Sequence, residues 1–144
     1  IDIMPTLRAA VGLNAVAATL PGTNLLNSAR DSQPSDPDRA VFGDIYPGDA
    51  TSLHDPSKDI AYRWVRKGRL KLIVPHRHGA KPPWGGYLDG KALFDVVADP
   101  KEQHNLISLI SEADYRDEVA SLRKLLDAWW TPTSEDRLEG ESQN

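Results

Sequence analysis

The chain has 144 residues, 40% of them hydrophobic and 26% charged, an ordinary globular composition with room for one modest core. Its 17 Lys and Arg against 21 Asp and Glu leave a net charge of −4, which argues against a nucleic-acid partner, and no apolar run approaches the roughly 20 residues needed to span a bilayer. Cysteine is absent, which excludes disulfides and thiolate chemistry and leaves the redox compartment unread.

The chain opens at Ile1 with no Met and no basic stretch followed by an apolar one, the look of a fragment rather than a natural start. Residues 2–12 read as a short helix: Asp2 is a candidate N-cap, and Pro5 sits in the first turn, where a missing N–H costs little. Ile3, Leu7, Ala10 and Val11 form one apolar stripe, and Gly12 is a suitable stop. Residues 14–28 are small and apolar, with a Pro21-Gly22 turn and a Leu25-Leu26 anchor. Residues 30–38 are polar, carry Pro34 and Pro37, and read as a linker.

Strand grammar follows. Residues 40–46 predict a strand, 47–58 a loop with two prolines, and 61–66 and 70–74 a hairpin turning at Lys67-Gly68, where glycine can supply a positive φ. Leu70, Leu72 and Val74 give the second hairpin strand a clearly apolar face. Residues 75–89 form a long loop rich in Pro and Gly, and 92–97 a further strand ended by Asp99-Pro100.

The most regular pattern is the last. Ser111 and Asp114 resemble a capping box. Tyr115, Val119, Leu122, Leu126 and Trp129 then recur at a 4-3-4-3 spacing, the mark of one buried helical face, before Thr131-Pro132 ends the run. Residues 133–144 are polar and are expected to be disordered. The sum is an α+β domain: a small antiparallel sheet of about four strands with one long C-terminal amphipathic helix packed on it.

The run Ala92-Leu93-Phe94-Asp95-Val96-Val97-Ala98-Asp99-Pro100-Lys101-Glu102-Gln103-His104-Asn105-Leu106 resembles the C-terminal signature of the sulfatases, in which a Leu-Tyr/Phe-Asp-Leu strand precedes Asp-Pro-x-Glu-x-x-Asn-Leu. Residues 63–73 resemble the hairpin before that signature. Asp2-Ile3-Met4-Pro5-Thr6-Leu7 with Gly12-Leu13 resembles a helix near the end of the family's catalytic domain, and Gly22 with Leu25-Leu26 the stretch after it, Asn24 standing where Ser is common. The resemblance covers most of residues 2–130. It implies residues 1–38 as the end of a catalytic domain plus linker, 39–130 as a C-terminal domain, and 131–144 as a tail.

The signature itself reads as structural: Asp95 and Asp99 bracket a turn, Asn105 can tie it by side-chain hydrogen bonds, and Leu106 covers the core. The resemblance implies a parent sulfuric-ester hydrolase of the alkaline-phosphatase superfamily whose cofactors are calcium and a formylglycine. Both lie upstream of the part matched here, so the fragment is expected to hold no cofactor and to be inactive alone. It further implies the missing catalytic domain of the same protein as partner, a sulfated small molecule or glycan as ligand, and a periplasmic or secreted location.

Ser35-Asp36-Pro37-Asp38-Arg39 matches the bare Ser-x-Pro-x-Arg pattern of the formylglycine precursor, but it sits in a linker before a strand, and Asp36 and Asp38 would repel a sulfate. His76 and His78 would share one face of an extended chain, a weak metal pair without a third ligand. The loop 75–87 is the better candidate: His76, His78 and Lys81 can meet a sulfate or hydroxyls, and Trp84 can stack on a sugar face, against the bland alternative of a solvated loop. Trp129-Trp130 is read as one core ring and one covering the helix end, and Tyr62 with Trp64 as sharing a strand face, half-buried against the helix or the parent domain. Arg63, Arg66, Lys67, Arg69 and Lys71 are read as charges blunting an exposed edge.

Two other readings stay open: a glycan- or protein-binding module acting through residues 75–87, and the tail of a related phosphonate or phosphodiester hydrolase. The stripe of Ile3, Leu7 and Val11 should lack its natural cover, leaving residues 1–30 loose, folded over the sheet, or used in a homodimer.

Overall fold

The computed structural model describes residues 1–13, 22–30, 36–46, 55–76, 88, 90–109 and 112–132. The chain divides into two compact units, Ile1–Pro37 and Asp38–Asn144.

In the first unit, α1 (Ile3–Ala10) starts at Asp2 with Pro5 buried in its first turn. Gly12, at φ +79°, ends it; the Gly12 N–H donates to Ala9 O at 3.2 Å and the Leu13 N–H to Arg8 O at 2.9 Å, the two bonds of a Schellman stop. The expected N-cap is corrected. The Asp2 carboxylate caps no helical N–H and instead accepts the Thr23 N–H at 2.8 Å. Thr6 Oγ1 donates to Asp2 O at 2.7 Å and accepts the Leu25 N–H at 3.0 Å. Gly22 (φ +106°) lies so close that a Cβ there would be 2.5 Å from Ile1 O. Polar groups of the first turn thus hold the returning segment, which ends in α2 (Leu26–Ala29), a single turn the sequence pattern does not announce.

The second unit has the expected α+β architecture. Strands β1 (Val41–Ile45), β2 (Tyr62–Lys67), β3 (Leu70–Pro75) and β4 (Ala92–Asp95) form one antiparallel sheet in the order β1-β2-β3-β4. The hairpin turns one residue later than the composition suggested: Lys67 pairs with Leu70, and the two-residue loop is Gly68-Arg69, glycine first, at φ +58°.

Register assigns every side chain to a face. Phe42, Val65, Leu72 and Leu93 form one row, and Gly43, Trp64, Ile73 and Ala92 the next row, on the opposite face. The first face carries the main core. Val65, Leu72, Val74 and Leu93 meet Val119, Leu122 and Leu126 of α4 (Arg116–Trp129), with Leu106 and Ile107 of α3 (Leu106–Leu109) at its edge. The second face is also buried, around Tyr62, Ile73, Ala92 and Phe94. Tyr62 and Trp64 do share a face, but it is this second one, away from α4. Trp64 lies flat over Gly43, where a Cβ would meet its ring at 2.5 Å.

Two expectations about α4 change. A 3-10 turn at Glu112–Tyr115 leads into it, and its N-cap position, Tyr115, makes no side-chain cap bond. No capping box by Asp114 starts the helix, and Ser111 lies outside the described residues. Asp117 and Glu118 instead suit its positive end. Neither tryptophan at its far end is a core ring. Trp129 stacks on Phe42 at 5.2 Å while remaining 36% exposed, and Trp130 meets it edge-on at 6.0 Å.

The basic hairpin does not blunt an edge, because β2 and β3 are the interior strands. Its charges go to separate partners. Lys71 bonds Glu102 at 2.7 Å and lies 5.2 Å above Trp64, Arg69 pairs with Asp95, and Arg66 bonds its own turn at Gly68 O. Arg63 is buried to 3% exposure under the end of α4; Nη1 donates to Trp130 O and Nη2 to Asp127 Oδ1 at 2.9 Å. Burial pushes the Asp127 carboxyl up, but hydrogen bonds from Arg123 and Arg63 outweigh it and hold it below its ordinary 3.8.

Gly43→Ala is expected to destabilise the sheet unit by about 1–3 kcal/mol, because its methyl overlaps the Trp64 ring, read as a lowered midpoint in urea unfolding. Arg63→Met, which keeps the stem and removes the fork, should cost about 1.5–3 kcal/mol. Asp127 is depressed in the fold, so its contribution is present above pH 3.8 and lost as the pH falls through the lower folded value. Asp127→Asn should therefore flatten the acid limb of the stability curve and lose most near neutrality; an unchanged acid limb would remove Asp127 from the account.

Candidate functional site

The topology places the two long connections together. The chain leaves β1 at Ile45 and enters β2 at Tyr62; it leaves β3 at Pro75 and enters β4 at Ala92. In an antiparallel sheet these four positions lie at one end, opposite the Gly68-Arg69 turn. Residues 46–61 and 76–91 therefore both start and finish there.

Their feet are fixed by backbone bonds. The Ala61 N–H donates to Ile45 O at 2.9 Å and the His76 N–H to Ala61 O at 2.8 Å, so His76 is held one residue beyond β3, half-buried. The Tyr62 hydroxyl donates to Leu88 O at 3.1 Å, tying down the return of the second connection. In the first connection Asp55 and Ser57 are buried and hydrogen-bonded to each other, Lys58 Nζ lies 3.4 Å from Asp55 Oδ2, and the Lys58 N–H donates to Asp55 O at 3.1 Å. This turn delivers the buried Ile60 to the sheet end.

Of the predicted site residues, the structure places His76 at this end. His78, Lys81 and Trp84 lie outside the described residues, as does Ser35. Among the described residues no group of three or more His, Cys, Asp or Glu is placed to hold a metal ion.

Two cavities are lined by described residues. One of about 370 Å³ opens beside the hairpin, lined by Lys67, Leu70 and Leu122 with Asp38, Asp117 and Glu118; its three carboxylates would repel a sulfate ester. A second, of about 190 Å³, sits on the other sheet face over Ile73 and Phe94, between Leu88 and Glu102.

The signature run at residues 95–106 is a tied turn, as its residues predicted. Asp95 Oδ1 accepts the Val97 and Ala98 N–H groups at 3.2 and 3.1 Å, and the Asp99 N–H closes on Asp95 O at 2.7 Å. Asp99 Oδ2 accepts the His104 N–H at 2.7 Å. Burial raises the Asp99 carboxyl, but the His104 and Gln103 N–H groups and the nearby His104 ring bring it below its ordinary value. Glu102, at φ +54°, donates its N–H to Asp99 O at 3.0 Å and turns its carboxylate to Lys71. Asn105 Oδ1 then accepts the N–H groups of Leu93, on β4, and Ile107, in α3, at 3.1 and 3.2 Å. One amide oxygen thus joins the sheet edge to the next helix. Sequence reasoning assigned Asn105 to the turn; that it reaches β4 follows from register alone.

Asn105→Ala strands the Leu93 and Ile107 N–H groups together and should cost about 2–4 kcal/mol, whereas Asn105→Asp keeps the accepting oxygen and should recover at least half of the loss. Thermal unfolding of the two variants checks this; equal losses would show that the acceptor is not what matters.

No family model matches the sequence, and no curated protein matches it. Solved structures do. A protein of Bacteroides thetaiotaomicron VPI-5482 assigned to the sulfatases is 25% identical over 89% of this chain, with a TM-score of 0.63. BT1596, a 2-O GAG sulfatase, matches with the same identity, coverage and TM-score. BT4656, solved with D-glucosamine-2-N,6-O-disulfate as its substrate, matches at 22% identity over 89% of the chain with a TM-score of 0.59. In each case the match takes in 23% of the solved chain, so the present chain spans about a quarter of the length of these enzymes. In its signature turn and in its fold, the chain resembles the C-terminal region of the sulfatases.

Proposed function

We propose that these residues are the C-terminal region of a sulfatase that removes sulfate from a sugar ester, and that their part in it is to support the catalytic region and shape the substrate pocket. The observation that carries this reading is the tied turn of Asp95, Asp99 and Asn105. The same residues that spell the family signature make the hydrogen bonds that close the fold, inside a match covering 89% of the chain. The sugar-ester class is favoured over aryl esters by the substrates named for two of the matched enzymes.

In this reading the nucleophile and the calcium site belong to the remaining part of the enzyme. This chain contributes the sheet end from which residues 46–61 and 76–91 project. His76 is anchored there by its backbone, and the His78 imidazole or the Lys81 ammonium would meet the sulfate while Trp84 stacks on the ring. Placing specificity residues on connections held by a rigid sheet is the common division of labour between scaffold and loops.

The test compares the 144-residue chain with the complete polypeptide that contains it, each assayed on a 2-O-sulfated and a 6-O-sulfated glucosamine with calcium or chelator. The complete polypeptide should desulfate one of them in a calcium-dependent way and the 144 residues alone should not. Trp84→Ala or Lys81→Ala in the complete polypeptide should raise KM about tenfold, the loss of one stacking or charge-assisted contact. Calcium-dependent turnover by the short chain that disappears in Ser35→Ala would overturn the assignment, and hydrolysis of a phosphodiester in place of the sulfate would move the parent to a neighbouring reaction class. Tight binding of the sulfated sugar by the short chain, lost in Trp84→Ala, would make it a binding module instead.

A further inference from the structure

Charge separates the two cavities. The one beside the hairpin is rimmed by Asp38, Asp117 and Glu118, which would turn a sulfate away. The one on the second sheet face has an apolar floor of Ile73 and Phe94, walls of Leu88 and Pro100, and a polar rim of Lys101 and Glu102. Glu102 accepts Lys71 Nζ at 2.7 Å, so that pair is neutral, and among the described residues that line the cavity Lys101 is the charge left over. The other carboxylates of the signature turn are committed elsewhere: Asp95 to the Val97 and Ala98 N–H groups and Arg69, Asp99 to the His104 N–H. Glu102 is also the only non-glycine residue at positive φ among the described residues, an uncommon backbone state. That left-handed turn brings its carboxylate beside Lys71 and onto the cavity rim. An ionised carboxylate offers about four acceptor sites, of which Lys71 takes one, so further hydroxyl groups can be accepted there.

Size and position narrow the ligand. At about 190 Å³ the cavity is smaller than the roughly 300–1,000 Å³ of a site for a drug-sized molecule, and it suits a single ring with an apolar face and hydroxyl groups at its edge. Its Leu88 wall is the foot of the second connection, fastened by the Tyr62 hydroxyl at 3.1 Å. Trp84 precedes Leu88 by four residues, and four residues reach at most about 14 Å. A ring stacked at Trp84 and a ring in the cavity are therefore within reach of one glycan. We propose that this cavity is a subsite for a second, sulfated sugar residue of the same substrate, next to the residue whose ester is cleaved. Ile73, Phe94 and Leu88 take the apolar face of that ring, Glu102 accepts its hydroxyl protons, and the Lys101 ammonium meets its sulfate. The proposal rests on the sulfatase reading and narrows the substrate to an oligosaccharide sulfated on neighbouring residues.

The test uses the complete polypeptide and three substrates: the sulfated glucosamine that it desulfates, the corresponding glucosamine disaccharide carrying that one sulfate, and the same disaccharide with a second sulfate on the neighbouring residue. KM should fall at least about tenfold from the first to the third. Lys101→Ala should raise the KM for the doubly sulfated disaccharide, taken relative to that for the monosaccharide, about tenfold, and Lys101→Arg should restore most of the difference. Lys101 is exposed, and damage to the fold would raise both KM values and leave their ratio alone. Equal KM values for the three substrates, or a ratio that Lys101→Ala does not move, in a polypeptide that desulfates the monosaccharide, overturn the subsite and leave the sulfatase reading standing. A preference for the disaccharide that ignores its second sulfate overturns the sulfated ligand in favour of a neutral sugar. A complete polypeptide that desulfates none of the three with calcium present overturns both readings.

Discussion

The sheet unit depends on one buried cation. Arg63 stands in an interior strand, on the face that carries the helix, where a buried charge is costly unless it is paired. Removing a guanidinium from water is tolerable only if its donors are matched. Here its two terminal nitrogens are matched by the end of α4, through the Trp130 carbonyl at the negative end of the helix and the Asp127 carboxylate one turn earlier, while Nε is buried without a partner. The arrangement fixes where the helix must stop. Slide α4 by one residue along the sheet and Val119, Leu122 and Leu126 still find apolar neighbours, but Arg63 loses both oxygens. The hydrophobic stripe supplies the attraction, and the arginine supplies the register.

A second device closes the opposite side of the unit. β4 is an edge strand, and an edge strand left open is a template for unwanted pairing. Asn105 answers the Leu93 N–H with a side-chain oxygen, and α3, which begins at the next residue, covers the strand. The turn that delivers Asn105 is itself locked by Asp95 and Asp99, and Glu102 is held in a left-handed conformation beside Lys71. A run that reads as a family signature therefore has a local physical reason at Asp95, Asp99, Glu102 and Asn105, and none of these reasons is catalytic.

These devices build a scaffold with two unlike ends. The hairpin end is short and tied by Arg66 to Gly68 and by Arg69 to Asp95. The other end carries both long connections, fastened at Ala61, His76 and Leu88. Specificity can change in those connections without disturbing the two cores, which suits a region whose proposed task is to border a pocket formed largely by other residues.

The sequence by itself determined the local elements and their faces. Alternation at Leu70, Leu72 and Val74, the 4-3-4-3 spacing ending at Trp129, and the glycines at 12 and 68 depend only on neighbours a few residues away, and such neighbours are legible in one dimension. The resemblance in residues 92–106 was legible for the same reason: its polar residues satisfy each other's backbone within one turn. What only the tertiary structure decided were pairings between distant residues. Strand order turned the basic hairpin from an edge into the middle of the sheet and buried Arg63, whose partners lie more than sixty residues away. It made Ile73 and Phe94 a second core rather than a solvent face, moved Trp129 to the rim against Phe42, and diverted Asp2 from capping its helix to holding Thr23. Each of these choices is set by which segment arrives alongside, and that is fixed by burial and register across the whole sheet rather than by the preference of any residue for its own conformation.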